Sequence, residues 1–228
     1  MALLSLLSAA KNTLLLTAVS MPLAVALGLL LGWMRLSRHR FLSWPAAAYV
    51  EVIRGTPLLV QVYLVYFSLA QLGQQLETTL LTLQPFSTGI ICLAGNYAAY
   101  EAEIIRAGLE AVDKGQREAA LSIGMSERQA FCLIILPQAF RIVVPPLIND
   151  LIAMLKDSCL VSVIGVPELL ERAKSIGKER GTTAQMMVAA AVLYLMMSLV
   201  CYAFGKCLEK RLKVQGAHEL HVDQVHGH

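Results

Sequence analysis

Residues 118–137 read EAALSIGMSERQAFCLIILP, and the positions with characteristic spacing in this stretch are Glu118, Ala119, Ala120, Gly124, Ile134, Leu136 and Pro137. Charged and small side chains between Gln116 and Glu127 predict a short exposed helix that another surface can approach closely. Gly124 then permits a sharp turn, because glycine readily adopts positive φ. The stretch therefore predicts a water-exposed segment that interrupts a largely apolar chain.

The second half of this stretch predicts another short helix. Ser126 suits the N-cap position, and Gln129 three residues later completes a capping box. Pro137 is expected to end this helix, because proline lacks a backbone donor and its ring clashes with the preceding turn. We therefore expect two short helices joined by a turn at Gly124.

The composition of the whole chain is that of a membrane protein. Of the 228 residues, 57% are hydrophobic and 15% are charged, whereas about 25% of the residues of a soluble domain are charged. The net charge of +3 is too small and scattered to indicate nucleic-acid binding, and anionic lipid explains it better. The five cysteines show neither a disulfide pattern nor the spacing of metal ligands.

Several apolar segments are long enough to cross a bilayer as helices. We count five: Asn12–Met34, a second that begins near Pro45 or Pro57 and ends by Gln71, Phe86–Ile105, Ile142–Val166 and Thr182–Gly205. Gly55 and Pro57 predict a break within the second segment. We therefore expect an all-α, polytopic membrane helix bundle in residues 1–215, followed by a polar, disordered tail in residues 216–228.

The distribution of basic residues predicts the orientation of this bundle. Most of the 19 Lys and Arg residues fall on one side of the layout, which also contains residues 118–137. Because Lys and Arg accumulate in cytoplasmic loops, that side is predicted to be cytoplasmic. The N-terminus is then expected outside and the C-terminus inside, whereas the loop from Glu168 to Gly181 is expected outside.

The spacing within residues 118–137 resembles the cytoplasmic coupling loop of bacterial ABC importer permeases, and every fixed position matches. Other runs resemble the polar amino-acid uptake branch of that superfamily: RGTPLLVQ at residues 54–61, AYEAEIIR at 99–106, GQ at 115–116, LPQA at 136–139 and KDS at 156–158. The resemblance extends from about Asn12 to Leu212. It departs from the family at Cys159, where Ser or Thr is usual.

The resemblance implies a function for the chain as one subunit of a bacterial inner-membrane complex. Such a permease serves an ATP-driven importer of polar amino acids, with basic amino acids as one candidate class. In this family, two permeases, identical or related, form the translocation path. Two ATP-binding subunits bind the coupling loops of the permeases, and an extracytoplasmic binding protein delivers the solute. The coupling loop would span about residues 107–140, with Glu118, Ala119 and Ala120 in contact with the ATPase and Gly124 setting the turn.

Missing motifs exclude other roles for the chain itself. It has no G-x-x-x-x-G-K-[ST] run, so ATP hydrolysis is expected in a separate subunit. His218 and His221 are one residue too close for a metalloprotease motif, so neither a metal site nor a cofactor is predicted. The alternative function is an ion-coupled secondary transporter or channel, because ionisable residues of the fourth segment can also mark an ion route. A scaffold without transport fits less well, since charge inside the membrane is costly.

Asp150 and Asp157 are the candidate solute ligands. Seven residues apart on a helix, they differ by about 20° in direction and about 10 Å in height, so they share one stripe. Neither is expected to face lipid, because an acidic group at membrane depth costs about 2.5 to 3.5 kcal/mol. A cationic solute could be their partner, and an ion pair with another helix is the alternative. Pro145 and Pro146 could kink the helix and disturb the stripe.

Four charged residues lie at predicted membrane boundaries. Glu101, Glu103 and Arg106 stand where the third segment leaves the membrane, which suits either solvated interfacial charges or a role in a gate or a contact between subunits. Arg54 adjoins the break at Gly55, and a break at membrane depth is tolerated only inside protein. We therefore expect Arg54 to face a protein neighbour, with these glutamates as candidates.

Overall fold

The chain folds into a bundle of helices in a computed structural model that describes residues 2–78 and 83–212. Eight helices make up these residues: α1 (Ala2–Leu36), α2 (Arg40–Arg54), α3 (Leu58–Gln75), α4 (Pro85–Glu110), α5 (Lys114–Ser122), α6 (Glu127–Ile164), α7 (Leu169–Arg180) and α8 (Thr183–Leu212). The predicted tail, with His218 and His221, lies outside the described residues.

The all-α membrane fold predicted from the sequence is confirmed. Helices α1, α6 and α8 are long and apolar enough to cross a bilayer, and α2 and α3, bent by 107°, together form a fourth candidate span. The third predicted segment, Phe86–Ile105, is present as α4, a 26-residue helix about 39 Å long, but this helix is not among the candidate spans. Helix α4 packs against α1, α2 and α6, and a helix surrounded by protein can carry polar residues that lipid would not tolerate.

Close packing of α1 on α4 holds the centre of the bundle together. A Cβ atom added to Gly28 would lie 2.5 Å from Cβ of Glu101 and 3.1 Å from the backbone nitrogen of Ala102. Small residues at such contacts let two membrane helices approach closely. The apolar core next to this contact includes Leu16, Leu93, Met154, Val161 and Val166, all fully buried.

Helix α1 begins earlier than the predicted boundary at Asn12. The exposed Lys11 had suggested a membrane edge, yet it lies within the helix. The preceding turns are helical because Leu6 and Ala10 are buried against α7 and α8. Tertiary packing therefore extends α1 beyond what its charge pattern predicts.

The prediction that Pro137 ends a short helix was wrong. Helix α6 runs without interruption from Glu127 to Ile164, with a π-helical turn at Phe131–Ile135 and a 3₁₀ turn at Ser158–Ile164. Pro137 stands in the first turn of the regular α-helical part. The π turn before Pro137 widens the helix locally, which makes room for the proline ring that would clash with the preceding turn of a regular α-helix.

The predicted loop from Glu168 to Gly181 contains the short helix α7. Glu168 is fully buried and caps α7, accepting hydrogen bonds from the backbone of Leu170 (2.8 Å) and Glu171 (2.7 Å) and from Tyr194 Oη (2.6 Å). Burial raises the pKa of the Glu168 carboxyl, and these hydrogen bonds oppose the shift. Gly181, with φ of 65°, closes the other end of the helix.

Candidate functional site

The break predicted at Gly55 and Pro57 is confirmed, and it is built around Gln61. Gln61 Nε2 donates a hydrogen bond of 2.8 Å to the carbonyl oxygen of Ile53, one of the carbonyl groups at the end of α2 that have no partner within the helix. Gln61 Oε1 accepts a hydrogen bond from Asn96 Nδ2 at 3.0 Å. The irregular backbone between α2 and α3 is thereby tied to α4.

A polar cavity of about 640 Å³ lies beside this break. Helices α2, α3, α4 and α6 and the break contribute to its walls, which include Arg54, Thr56, Pro57, Leu58, Asn96, Tyr97, Tyr100, Asp150, Ala153, Asp157 and Leu160. Non-helical backbone at membrane depth is tolerated where it lines a cavity of this kind. The volume is within the range of small-molecule sites in proteins, about 300–1,000 Å³.

Both predicted acidic residues line this cavity, so Pro145 and Pro146 do not disturb the stripe. Asp157 Oδ2 accepts a hydrogen bond from Tyr97 Oη at 2.8 Å. Asp150 makes no hydrogen bond or ion pair with any residue of the described chain. The cavity thus contains two carboxyl groups with no cationic partner from α6, although Arg54 also lines it. Their role as solute ligands stays a prediction.

Arg54 has a protein neighbour, but it is an aromatic ring. The guanidinium carbon of Arg54 lies 5.3 Å from the centroid of the Tyr100 ring, a cation–π arrangement, and the side chain is exposed. The suggested pairing with a glutamate was wrong, because Glu103 instead bonds Arg35 and Arg106. Arg54 therefore places a positive charge at the edge of the cavity.

Glu101 does not stand at a membrane exit. Its side chain is fully buried against Gly28 of α1, and neither carboxyl oxygen has a partner among the described residues. The interpretation of Glu101 as a solvated interfacial charge was therefore wrong. Helical periodicity is the sequence feature that could have indicated this burial. Glu101 lies on the same side of α4 as Tyr97, Ala98 and Ala102, which are also buried.

The loop between α4 and α6 has the local structure that its sequence predicts. Helix α5 is capped by Asp113, whose carboxylate accepts a hydrogen bond from the backbone of Gly115 at 2.7 Å. Gly124 forms the turn with φ of 87°. Ser126 and Gln129 form the predicted capping box, so these local features are confirmed.

The exposed surface of this loop differs in part from the prediction. Glu118 and Ala119 are exposed, but Ala120 is only 5% exposed and is not free to contact another protein. Ile123 is 80% exposed between α5 and the turn. The sequence alone assigns Ile123 no role, and the structure leaves its apolar side chain available to a partner protein.

Other residues of the cavity, and Gln61 of the adjacent break, were not identified from the sequence. Asn96, Tyr97 and Tyr100 all come from α4, whose inward side could be identified only after its packing was known. Gln61 belongs to a run that we noted without assigning a function. The sequence feature that could have identified these residues is their polar side chains within segments expected to cross the membrane.

Comparison with known proteins identifies relatives over most of the chain. Residues 24–214 match the family described as binding-protein-dependent transport system inner membrane component. The arginine transport system permease protein ArtQ of Bacillus subtilis (strain 168) is 37% identical over 202 residues, covering 88% of this chain and 89% of that protein. The glutamine transport system permease protein GlnP of Escherichia coli (strain K12) is 35% identical over 209 residues, covering 92% and 93%.

Solved structures share the same fold. A chain from the crystal structure of an amino acid ABC transporter with histidines superposes with a TM-score of 0.84 at 39% identity, covering 91% of this chain and 94% of that one. A chain of the inward-facing MetNI methionine ABC transporter has a TM-score of 0.72 at 20% identity, covering 93% and 98%. The second likeness concerns the fold alone.

Proposed function

Because the chain belongs to the binding-protein-dependent transport system inner membrane component family, we propose that it is the permease subunit of an ATP-driven amino-acid importer whose solute binds between α3, α4 and α6. Residues 1–215 form its single membrane domain in this proposal. The chain has no nucleotide-binding motif, and ATP is hydrolysed by a separate subunit. The observation that carries the proposal is the polar cavity lined by Asp150 and Asp157.

The chemistry of the cavity favours a cationic amino acid. Asp150 has no partner in the described chain and Asp157 has only the Tyr97 hydroxyl, so a solute ammonium and a basic side chain could each meet a carboxylate. Arg54 lines the same cavity and is suited to the solute's α-carboxylate, because a guanidinium binds carboxylates through two parallel hydrogen bonds. The relatives named above are arginine and glutamine permeases, so their names favour no one charge class.

The loop between α4 and α6 is the proposed contact with the ATPase. Glu118 and Ala119 present a charged and a small side chain to solvent, and Ile123 adds an apolar anchor. Ala120 supports the contact from inside the loop. Arg117 pairs with Glu127 across the Gly124 turn (Nε to Oε2 3.0 Å), which holds the two arms of the loop together.

We place this loop in the cytoplasm, with the N-terminus outside and the C-terminus inside. Arg35 and Arg106, which share Glu103, lie at the same end of the bundle as α5, and a basic end is favoured on the cytoplasmic side. The complex would also contain a second permease, identical or related, and an external binding protein.

Uptake by the reconstituted complex tests the proposal. Liposomes that contain the permease, its ATPase and its binding protein should accumulate radiolabelled arginine or lysine only when ATP is supplied. Asp150→Asn and Asp157→Asn should lower uptake of basic amino acids by at least tenfold, more than uptake of glutamine. Lys156→Gln is the matched control, because Lys156 is exposed and lies outside the cavity.

Two outcomes would count against different parts of the proposal. Uptake without ATP would support the alternative of an ion-coupled secondary transporter. ATP-dependent uptake with unchanged selectivity in both Asp variants would leave the importer intact and reject the acidic residues as solute ligands.

A further inference from the structure

A second cavity, the basic–aromatic groove, lies at the end of the bundle that carries the coupling loop. It is open to the surface, with a volume of about 880 Å³ between the end of α1, the start of α2 and the end of α4. Arg35, Arg40 and Arg106 line it together with one acidic residue, Glu110. The groove shares no lining residue with the proposed solute cavity, so solute binding does not account for it.

Ion pairs fix two of the three arginines and leave the third free. Glu103 bonds both Arg35 and Arg106, and Glu110 bonds Arg106 at 2.6 Å. Arg40 is exposed and forms no ion pair with any residue in the described ranges. The groove therefore keeps a net positive charge, with two guanidinium groups held in place and a third available to a ligand.

The remaining wall of the groove is apolar and faces outward. Phe41 is 94% exposed and Trp44 is 75% exposed, whereas α2 buries Ala46 and Val50 on its other side. Exposed aromatic rings beside arginines at the end of a spanning helix are typical of the level of lipid headgroups. The combination of cationic rim and apolar floor matches an amphipathic anion.

We propose that the basic–aromatic groove binds an anionic phospholipid, with its phosphate among Arg35, Arg40 and Arg106 and its acyl chains along Phe41 and Trp44. Guanidinium groups bind phosphate oxygens through paired hydrogen bonds. Anionic lipids are enriched in the cytoplasmic leaflet, where basic pockets between membrane helices bind their headgroups. The proposal requires that the chain crosses the bilayer and does not depend on which solute it carries.

Tryptophan quenching by brominated lipids tests this proposal in the intact importer. The chain has two tryptophans, Trp33 and Trp44, so Trp33→Phe leaves Trp44 as its single reporter, and the variant that lacks both gives the background from the other subunits. In phosphatidylcholine nanodiscs, brominated phosphatidylglycerol should quench Trp44 at a mole fraction about fivefold lower than brominated phosphatidylcholine, the preference expected from one arginine near the headgroups.

Matched variants separate the groove from general surface charge. Arg40→Gln should abolish most of the preference and Arg40→Lys should retain it. Arg38→Gln removes the same charge two residues away but outside the groove, and it should leave the preference unchanged. Solute-stimulated ATP hydrolysis of each variant reports correct assembly.

Three results would overturn the proposal. The first is equal quenching by both headgroups in the parent protein. The second is an equal loss of preference in Arg38→Gln and Arg40→Gln, which would indicate diffuse charge. The third is the absence of quenching by either lipid, which would mean that another subunit covers the groove.

Discussion

Replacing Gly124 by valine should separate ATP hydrolysis from transport while leaving the membrane bundle assembled. Gly124 has φ of 87°, and a Cβ atom placed on it would meet nothing within 4 Å. A side chain at this position therefore has room, and the substitution perturbs only the backbone. This makes Gly124 a clean test of whether the shape of the turn matters to coupling.

The expected magnitude follows from the backbone conformation. An ordinary L-residue in the left-handed region costs about 1–2 kcal/mol, and a β-branched residue is among the least tolerated there. That cost corresponds to a reduction of about 5–30-fold in the population of the native turn. Gly124→Asn should remain near the parent protein, Gly124→Ala should be intermediate and Gly124→Val should be lowest, because asparagine enters this region most readily.

The assay is solute-stimulated ATP hydrolysis and uptake in the same liposomes. Gly181→Val is the matched control, since Gly181 also has positive φ and open surroundings but lies at the end of α7. If Gly124→Val keeps full stimulation and uptake, the coupling role of the turn is rejected. Equal losses in Gly124→Val and Gly181→Val would show general destabilisation.

Three further substitutions probe packing, electrostatics and docking. Gly28→Ala should destabilise the protein by about 1–3 kcal/mol, because the added Cβ would lie 2.5 Å from Cβ of Glu101. The measurement is a lower Tm in detergent. Gly89→Ala is the control and should be tolerated, because the nearest atom to its added Cβ would be 3.4 Å away. Burial raises the pKa of Glu168 in the folded protein. The contribution of Glu168 to the free energy of unfolding is therefore full below the ordinary glutamate pKa and declines as pH rises through the raised pKa. Glu168→Gln should flatten this part of the plot of Tm against pH. Ile123→Ser should weaken ATPase binding by at least tenfold in a pull-down titration without changing Tm, because Ile123 is exposed; an unchanged affinity would remove Ile123 from the interface.

Features decided by neighbouring residues in the chain could be predicted from the sequence. The Ser126 capping box and the Gly124 turn depend on a few adjacent residues, and the shared direction of Asp150 and Asp157 depends only on helical periodicity.

Features that depend on how helices dock could not be predicted in this way. The burial of Glu101 requires α1 to approach α4 at Gly28, and the sequence of either helix alone does not specify their register. The role of Gln61 as the bridge between Ile53 and Asn96 likewise needs three segments in place. Pro137 was misinterpreted because the π turn before it changes the local spacing that makes proline a helix breaker.

In the proposed importer, the continuous helix α6 connects the coupling loop to Asp157, the proposed solute ligand. About 24 residues separate the π turn from Asp157, which corresponds to an arm of about 36 Å. A tilt of roughly 5° about that turn would displace the Asp157 carboxylate by about 3 Å, the length of one hydrogen bond. Such a displacement is enough to make or break the contact with Tyr97 Oη. A small rotation at the coupling loop could therefore change how Asp157 contacts a solute, because α6 is continuous between the two sites.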